Sequence, residues 1–159
     1  MHHTKLTHVY LTLFIAYLML LLPWSDRAVH VMPDLTLVVL IYWIVRAPQL
    51  CSIGTAWFVG LLVDLATGGV FGQHAWAYTL AAFFTVLYQR RLVLFSGLQQ
   101  FFYVFLMLLI AQLTLLILRL FSGAPFVGWL YFAPSFTGVL LWQILLLINF
   151  QKDPRAGPV

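Results

Sequence analysis

The chain has 159 residues, of which 64% are apolar or aromatic and only 8% are charged, eight basic against four acidic. A soluble domain carries about 25% charged residues, so twelve charges cannot coat one, and a chain this rich in Phe, Leu and Trp does not stay disordered. Cys51 has no partner for a disulfide scaffold, which leaves an all-α integral membrane protein with room for about six transmembrane helices of about 20 residues each.

The charges divide the chain into long uncharged runs. There are 20 residues between Lys5 and Asp26, 17 between Arg46 and Asp64, and 25 between Asp64 and Arg90. A further 27 separate Arg91 from Arg119, and 32 separate Arg119 from Lys152. Runs of this kind are helices in lipid, where each backbone polar group must be satisfied within its own segment. Barrel strands would alternate apolar and polar residues, and no alternation is seen.

In chain order, helix 1 is expected over about 6–22, stopping at Pro23-Trp24, a breaker followed by an interfacial aromatic. Such an apolar start resembles a secretory signal, but Pro23-Trp24-Ser25-Asp26 lacks small-residue cleavage chemistry and predicts an uncleaved anchor. Helix 2 is expected over about 34–45, with Pro33-Asp34 at its positive end and Arg46-Ala47-Pro48 after it. Helix 3 is expected over about 53–66, ending before Gly68-Gly69, and helix 4 over about 74–88, meeting Arg90-Arg91. Helix 5 should cover about 98–118 and helix 6 about 129–150, with Pro134 near its start and a polar tail over 151–159. No linker or low-complexity stretch divides the chain, so residues 1–159 read as a single polytopic membrane domain.

With a cytoplasmic N-terminus, Lys5, Arg46, Arg90, Arg91, Lys152 and Arg155 all lie inside, and only Arg27 and Arg119 lie outside. That is the positive-inside pattern, and it places both termini in the cytoplasm. Helices 2 and 3 are the weak point. The uncharged run 35–45 is about 17 Å of helix against a hydrocarbon core of about 30 Å. These two helices are therefore either short tilted spans or a re-entrant hairpin, and only the depth of Arg46 differs between the alternatives.

Asp26, Asp34 and Asp153 sit where water can reach them, which leaves Asp64 as the acid that needs an explanation. Counted from Ile53 it sits about 17 Å up, near the bilayer middle, where an acid costs about 2.5–3.5 kcal/mol to insert and must have partners. Ala56, Gly60 and Asp64 recur at i, i+4 and i+8, a small-residue stripe suited to close helix packing. Depth arithmetic brings Gln112 level with Asp64, with Tyr78 and Ser135 a few ångströms higher. Gln112 therefore ranks above Arg119, which would have to snorkel inward, as the partner. The functional reading is a partner-helix or ligand site in the outer half; the bland one is a hydrogen bond gluing helices 3 and 5.

The other polar features read as ordinary. Gly68-Gly69-Val70-Phe71-Gly72 has helix-dimer spacing, but it follows the acid and precedes a new span, which predicts a tight outer turn. It lacks the lysine and strand of a phosphate loop. His2, His3 and His8 flank the first span while His30 and His74 belong to the other side, and there is no glutamate, so no metal or cofactor site is expected. Cys51 has no histidine expected beside it and no nucleophile elbow exists, so no enzyme is expected. Arg90-Arg91 anchors a helix end at the lipid surface, with a cytoplasmic protein contact as the sharper alternative. The basic excess is a topology signal, because nucleic-acid binding needs clustered basic residues.

From Pro33 to Tyr78 the residue order becomes specific. Pro33-Asp34-Leu35, the pair Tyr42-Trp43, Gly54 and Gly60, then Asp64-Leu65 and Gly68 through Gly72 resemble the MreD family, small membrane proteins of the bacterial rod-shape (elongasome) system. The close match covers about a third of the chain. The resemblance implies an inner-membrane scaffold without catalysis, associated with MreC and through it with MreB, RodA and a penicillin-binding transpeptidase. It also implies a six-helix fold similar to the membrane-embedded S components of energy-coupling-factor vitamin transporters. Pro33, Gly60, Asp64, Gly68 and Gly72 carry over as motif positions.

Two functions are thus expected in competition. One is a scaffold of the cell-elongation machinery supporting peptidoglycan synthesis, which binds the MreC helix through a lipid-facing groove at Ala56, Gly60 and Asp64. The other is a transporter subunit that binds a small molecule in an outer-half pocket around Asp64, Tyr78, Gln112 and Ser135.

Overall fold

The computed structural model describes residues 6–25, 31–126 and 128–152. Lys5, His2, His3, Asp26, Arg27, His30, Asp153 and Arg155, all weighed above, lie outside the described residues. The described residues form six α-helices and one 3-10 turn, with no strand. The helices are α1 (Leu6–Leu21), α2 (Leu35–Arg46), α3 (Ile53–Thr67), α4 (Gln73–Leu92), α5 (Gly97–Phe121) and α6 (Ala133–Lys152). The 3-10 turn Trp129–Phe132 leads into α6.

Local chemistry sets the ends. Asp34 is the N-cap of α2, its Oδ1 accepting from the Leu37 amide at 3.1 Å, which satisfies one of the orphan donors of a first turn. Pro48 forbids helical geometry at Ala47 and closes the same helix. Two expected boundaries move outward. Helix α4 continues through Arg90 and Arg91 to Leu92, because basic side chains suit the negative end of a helix dipole and need not end the helix. Helix α5 likewise takes Arg119 into its last turn and runs to Phe121. One boundary moves inward: α6 begins at Ala133, because Pro134 is tolerated only in a first turn, and residues 129–132 tighten into the 3-10 form.

Helix α2 is the centre of the bundle, packed against α1, α4 and α6. Six of its twelve residues, Thr36, Leu37, Val38, Leu40, Ile41 and Ile44, are buried. The chain then continues as neighbouring antiparallel pairs, α3 on α4, α4 on α5 and α5 on α6. Side-chain hydrogen bonds cross these seams. Trp43 Nε1 donates to Thr12 Oγ1 at 2.7 Å, the Tyr103 hydroxyl to the Phe84 carbonyl at 2.9 Å, and Gln143 Nε2 to the Gly97 carbonyl at 3.2 Å.

The outer surface is carbon. Along α1 only Val9, Leu13 and Ala16 are buried, while Leu11, Phe14 and Leu18 face outward; on α5, Leu98, Phe102, Leu113 and Ile117 do the same. A soluble monomer rarely exposes an apolar patch larger than a few hundred Å²; here whole helices do so, which makes lipid the solvent. Two helices, Gly97–Phe121 and Trp129–Ile148, are long and apolar enough to cross a membrane, and Leu6–Leu21, Leu35–Arg46 and Ile53–Thr67 are shorter apolar helices. The chain is an all-helical membrane protein.

Candidate functional site

Asp64 lies one turn before the end of α3, and its carboxylate is 2% exposed as a residue. Its partners are not on α5. Oδ2 accepts from the Gly72 amide at 2.9 Å and the Ala75 amide at 3.3 Å, and Oδ1 from the His74 amide at 2.9 Å. His74 Nδ1 stands 2.8 Å from Oδ1. The acid therefore caps the N-terminus of α4, where the first backbone N–H groups have no helical acceptor and the helix dipole favours a negative charge. Burial of a carboxylate is tolerated because three amides and an imidazole replace its water.

The glycines around it serve the same construction. Gly68 is the left-handed C-cap of α3 (φ 63°) and returns its amide to the Asp64 carbonyl at 3.1 Å. Gly72 is left-handed (φ 94°) at the N-cap of α4, where its amide reaches the Asp64 side chain. Gly60, one turn before Asp64, lies so close to α4 that a Cβ there would stand 2.5 Å from Ala75 Cα. Gly60, Asp64, Gly68 and Gly72 thus build one tight hairpin between α3 and α4. Pro33, the fifth motif position, precedes the Asp34 cap of α2 and lies outside this hairpin.

Two expectations are corrected by this geometry. Gln112 is not the partner of Asp64: its Nε2 donates to the Tyr131 carbonyl at 2.6 Å, and its Oε1 accepts from the Ser135 hydroxyl. Equal depth did not bring them together because α3 packs on α4 and not on α5. The Ala56, Gly60 and Asp64 face is not a lipid-facing groove either. All three residues are buried, and α4 occupies the space in front of Gly60. Arg119 also stays away from Asp64, its guanidinium 5.7 Å from the Tyr131 ring centroid.

Tyr78 pairs with a residue expected to sit in water. Its hydroxyl is 2.7 Å from both carboxylate oxygens of Asp34, so the first turn of α2 is tied to α4. Tyr78 is fully buried, and its ring meets that of His74 edge to face at 6.0 Å between centroids. Asp34, His74, Tyr78, Gln112 and Ser135 line one cavity of about 370 Å³ between the helix ends. Three of the sequence-selected polar residues, Tyr78, Gln112 and Ser135, are thereby brought to one place. Asp64 stands behind His74, outside the lining. Asp34 and His74 were missed as site residues; the signal for His74 was its ten-residue spacing from Asp64 across a glycine turn.

Among the described residues no group of three or more His, Cys, Asp or Glu side chains is placed to hold a metal ion. His8 is exposed at the start of α1. Cys51, in the loop after α2, is 1% exposed, and burial pushes its thiol up from 9.0 to about 11.

Comparison with known proteins gives a consistent picture. The family model described as "MreD: rod shape-determining protein MreD" matches residues 3–152. The chain is 29% identical over 139 residues to a rod shape-determining protein MreD of Haemophilus influenzae, covering 84% of this chain and 83% of that one. No solved structure matches.

Proposed function

The chain belongs to the MreD family of rod shape-determining proteins, and from that premise we propose that it is a non-catalytic scaffold of the bacterial cytoplasmic membrane. In this reading it binds the membrane helix of MreC and supports peptidoglycan synthesis by the elongation machinery. Through MreC it is linked to MreB, RodA and a penicillin-binding transpeptidase. The observation that carries the reading is the family match along nearly the whole chain.

The packing supports such a role. Polar side chains are used to hold helix to helix, as with Asp64 on α4 and Asp34 on Tyr78, while α1 and α5 turn large apolar side chains outward. A body of this kind offers its flanks to other membrane helices. Ala56, Gly60 and Asp64 then act by fixing the α3–α4 hairpin, and MreC docks on an outward face.

The proposed topology is six spans with both termini cytoplasmic. Arg46, Arg90 and Arg91 close α2 and α4 at one end of the bundle, and the Asp34 cavity lies at the other. Helix α2 is only about 18 Å long, yet its first turn is tied to Tyr78 of α4 and its last to Thr12 of α1. Enclosed by other helices, it need not match the lipid thickness itself, which favours a short span over a re-entrant hairpin.

Mild-detergent purification from native membranes, with identification of the proteins that follow, tests the scaffold. Recovery of MreC and a penicillin-binding protein is the expected outcome. Recovery of transporter ATPases in their place would show the alternative, a transporter's ligand-binding subunit.

A further inference from the structure

The scaffold reading leaves the cavity of about 370 Å³ without a use. Its size falls within the range of about 300–1,000 Å³ typical of sites for small organic ligands, and its wall has their usual composition, apolar with a few convergent polar groups. Val63, Leu108, Ala111 and Leu115 present carbon from α3 and α5. Asp34, His74, Tyr78 and Ser135 interrupt that carbon from α2, α4 and α6.

The hydrogen bonds of those groups specify what is missing. The Tyr78 hydroxyl has one proton, and it is directed to Asp34. The Ser135 proton goes to Gln112 Oε1, and a Gln112 amide proton goes to the Tyr131 carbonyl. His74 Nδ1 faces an Asp64 carboxylate oxygen at 2.8 Å, so its Nδ1 proton is directed away from the cavity. The hydroxyl protons of Tyr78 and Ser135 are thus directed within the protein, whereas their acceptor lone pairs remain. Asp34 has lone pairs beyond those used by Leu37 and Tyr78, and the Tyr78 and Ser135 oxygens have theirs. Asp34 adds a negative charge to the wall, and a second stands behind His74. The positive group on the lining, Arg119, is on the last turn of α5 and stacked on Tyr131.

An apolar chamber into which α2, α4 and α6 bring a carboxylate and open acceptors, with Arg119 laid against Tyr131, calls at Asp34 for a ligand that brings its own donors and its own positive charge. We propose that the cavity binds a small organic ammonium, its N–H groups directed to Asp34 and the Tyr78 and Ser135 oxygens and its hydrocarbon body against Leu108, Ala111 and Leu115. A neutral alcohol of the same shape would fill the space but bring one donor and no charge. The inference does not depend on the scaffold reading, and partner recovery and ligand binding can fail separately.

The test uses the full-length protein in detergent with n-hexylamine, 2-phenylethylamine and tryptamine, each paired with its matched alcohol. Binding is followed by thermal unfolding and titration calorimetry. At least one amine should saturate at or below millimolar concentration and raise Tm by several degrees, with its alcohol binding at least tenfold more weakly. Asp34→Asn should erase the preference for amine over alcohol. Since Asp34 also caps α2, Ala111→Phe serves as a second variant: it fills the cavity from α5 without altering a polar group, and should abolish binding. Trp76→Ala, on an outward face of α4 and 68% exposed, should leave binding unchanged. The proposal is overturned if no amine saturates, if alcohols bind as well as amines, or if Ala111→Phe binds as the parent does.

Discussion

At the residue scale, Asp64 shows how a buried acid can be structural and still dominate a fold. Its carboxylate holds three backbone amides and one imidazole, and these contacts are not equivalent. Asp64→Asn keeps the shape but removes the charge and turns an NH₂ toward donors. Losing one side of a buried charged network typically costs about 3–5 kcal/mol, so a large fall in thermal stability is expected. His74→Ala removes one charge-assisted bond, worth about 1.5–3 kcal/mol, and leaves the three amides in place. Thermal unfolding of the two purified variants should rank Asp64→Asn as the more damaging, and the reverse order would mean that the imidazole, not the helix end, carries the acid. Cys51 makes a second residue-scale case. A raised thiol pKa means the folded state favours the neutral form, so its contribution to stability is complete below about 9 and is lost as pH rises toward about 11. Cys51→Ala should flatten the stability decline across that window, and native Cys51 should resist maleimide until the protein is unfolded.

At the element scale, the α3–α4 hairpin explains which parts of the site were legible in the sequence. Asp64 stood out because every other acid could be placed near water, and the glycine-rich turn after it was readable from residue type alone. The partner was not readable. Counting rise per residue gives depth along each helix, and depth says nothing about which helices are neighbours, so Gln112 was matched to Asp64 across a pair that does not pack. Asp34 was placed within reach of water and is half-buried, but a cap at a helix start does not announce a long side chain such as Tyr78 reaching back to it. The hairpin also separates two glycines of one helix. A Cβ at Gly60 would meet the Ala75 backbone at 2.5 Å, while one at Gly54 would meet only Ser52 Oγ at an ordinary 3.8 Å. Gly60→Ala should therefore cost about 1–3 kcal/mol by forcing α3 from α4. Gly54→Ala should be neutral or stabilising by up to about 1 kcal/mol, since alanine favours a helix. Equal effects on unfolding would contradict the close approach.

At the scale of the whole molecule, the six helices were legible in the sequence because lipid demands long apolar runs, while the central position of α2 came only from packing. That position bears on topology. A core helix of twelve residues would be too short to span alone, yet its two ends are fastened to neighbours at well separated levels. Single cysteines introduced into a Cys51→Ala background decide both questions in intact cells. Trp129 and Leu94 are each 85% exposed, at opposite ends of the bundle, and Gln49 is exposed in the loop between α2 and α3. With a cytoplasmic N-terminus, Trp129→Cys should react with a membrane-impermeant maleimide added outside, and Leu94→Cys only after permeabilisation. Gln49→Cys should follow Leu94→Cys if α2 and α3 span. Gln49→Cys unreactive on both sides would instead place the α2–α3 loop within the bilayer, and the reversed pattern at Trp129 and Leu94 would overturn the orientation proposed from the arginines of α2 and α4.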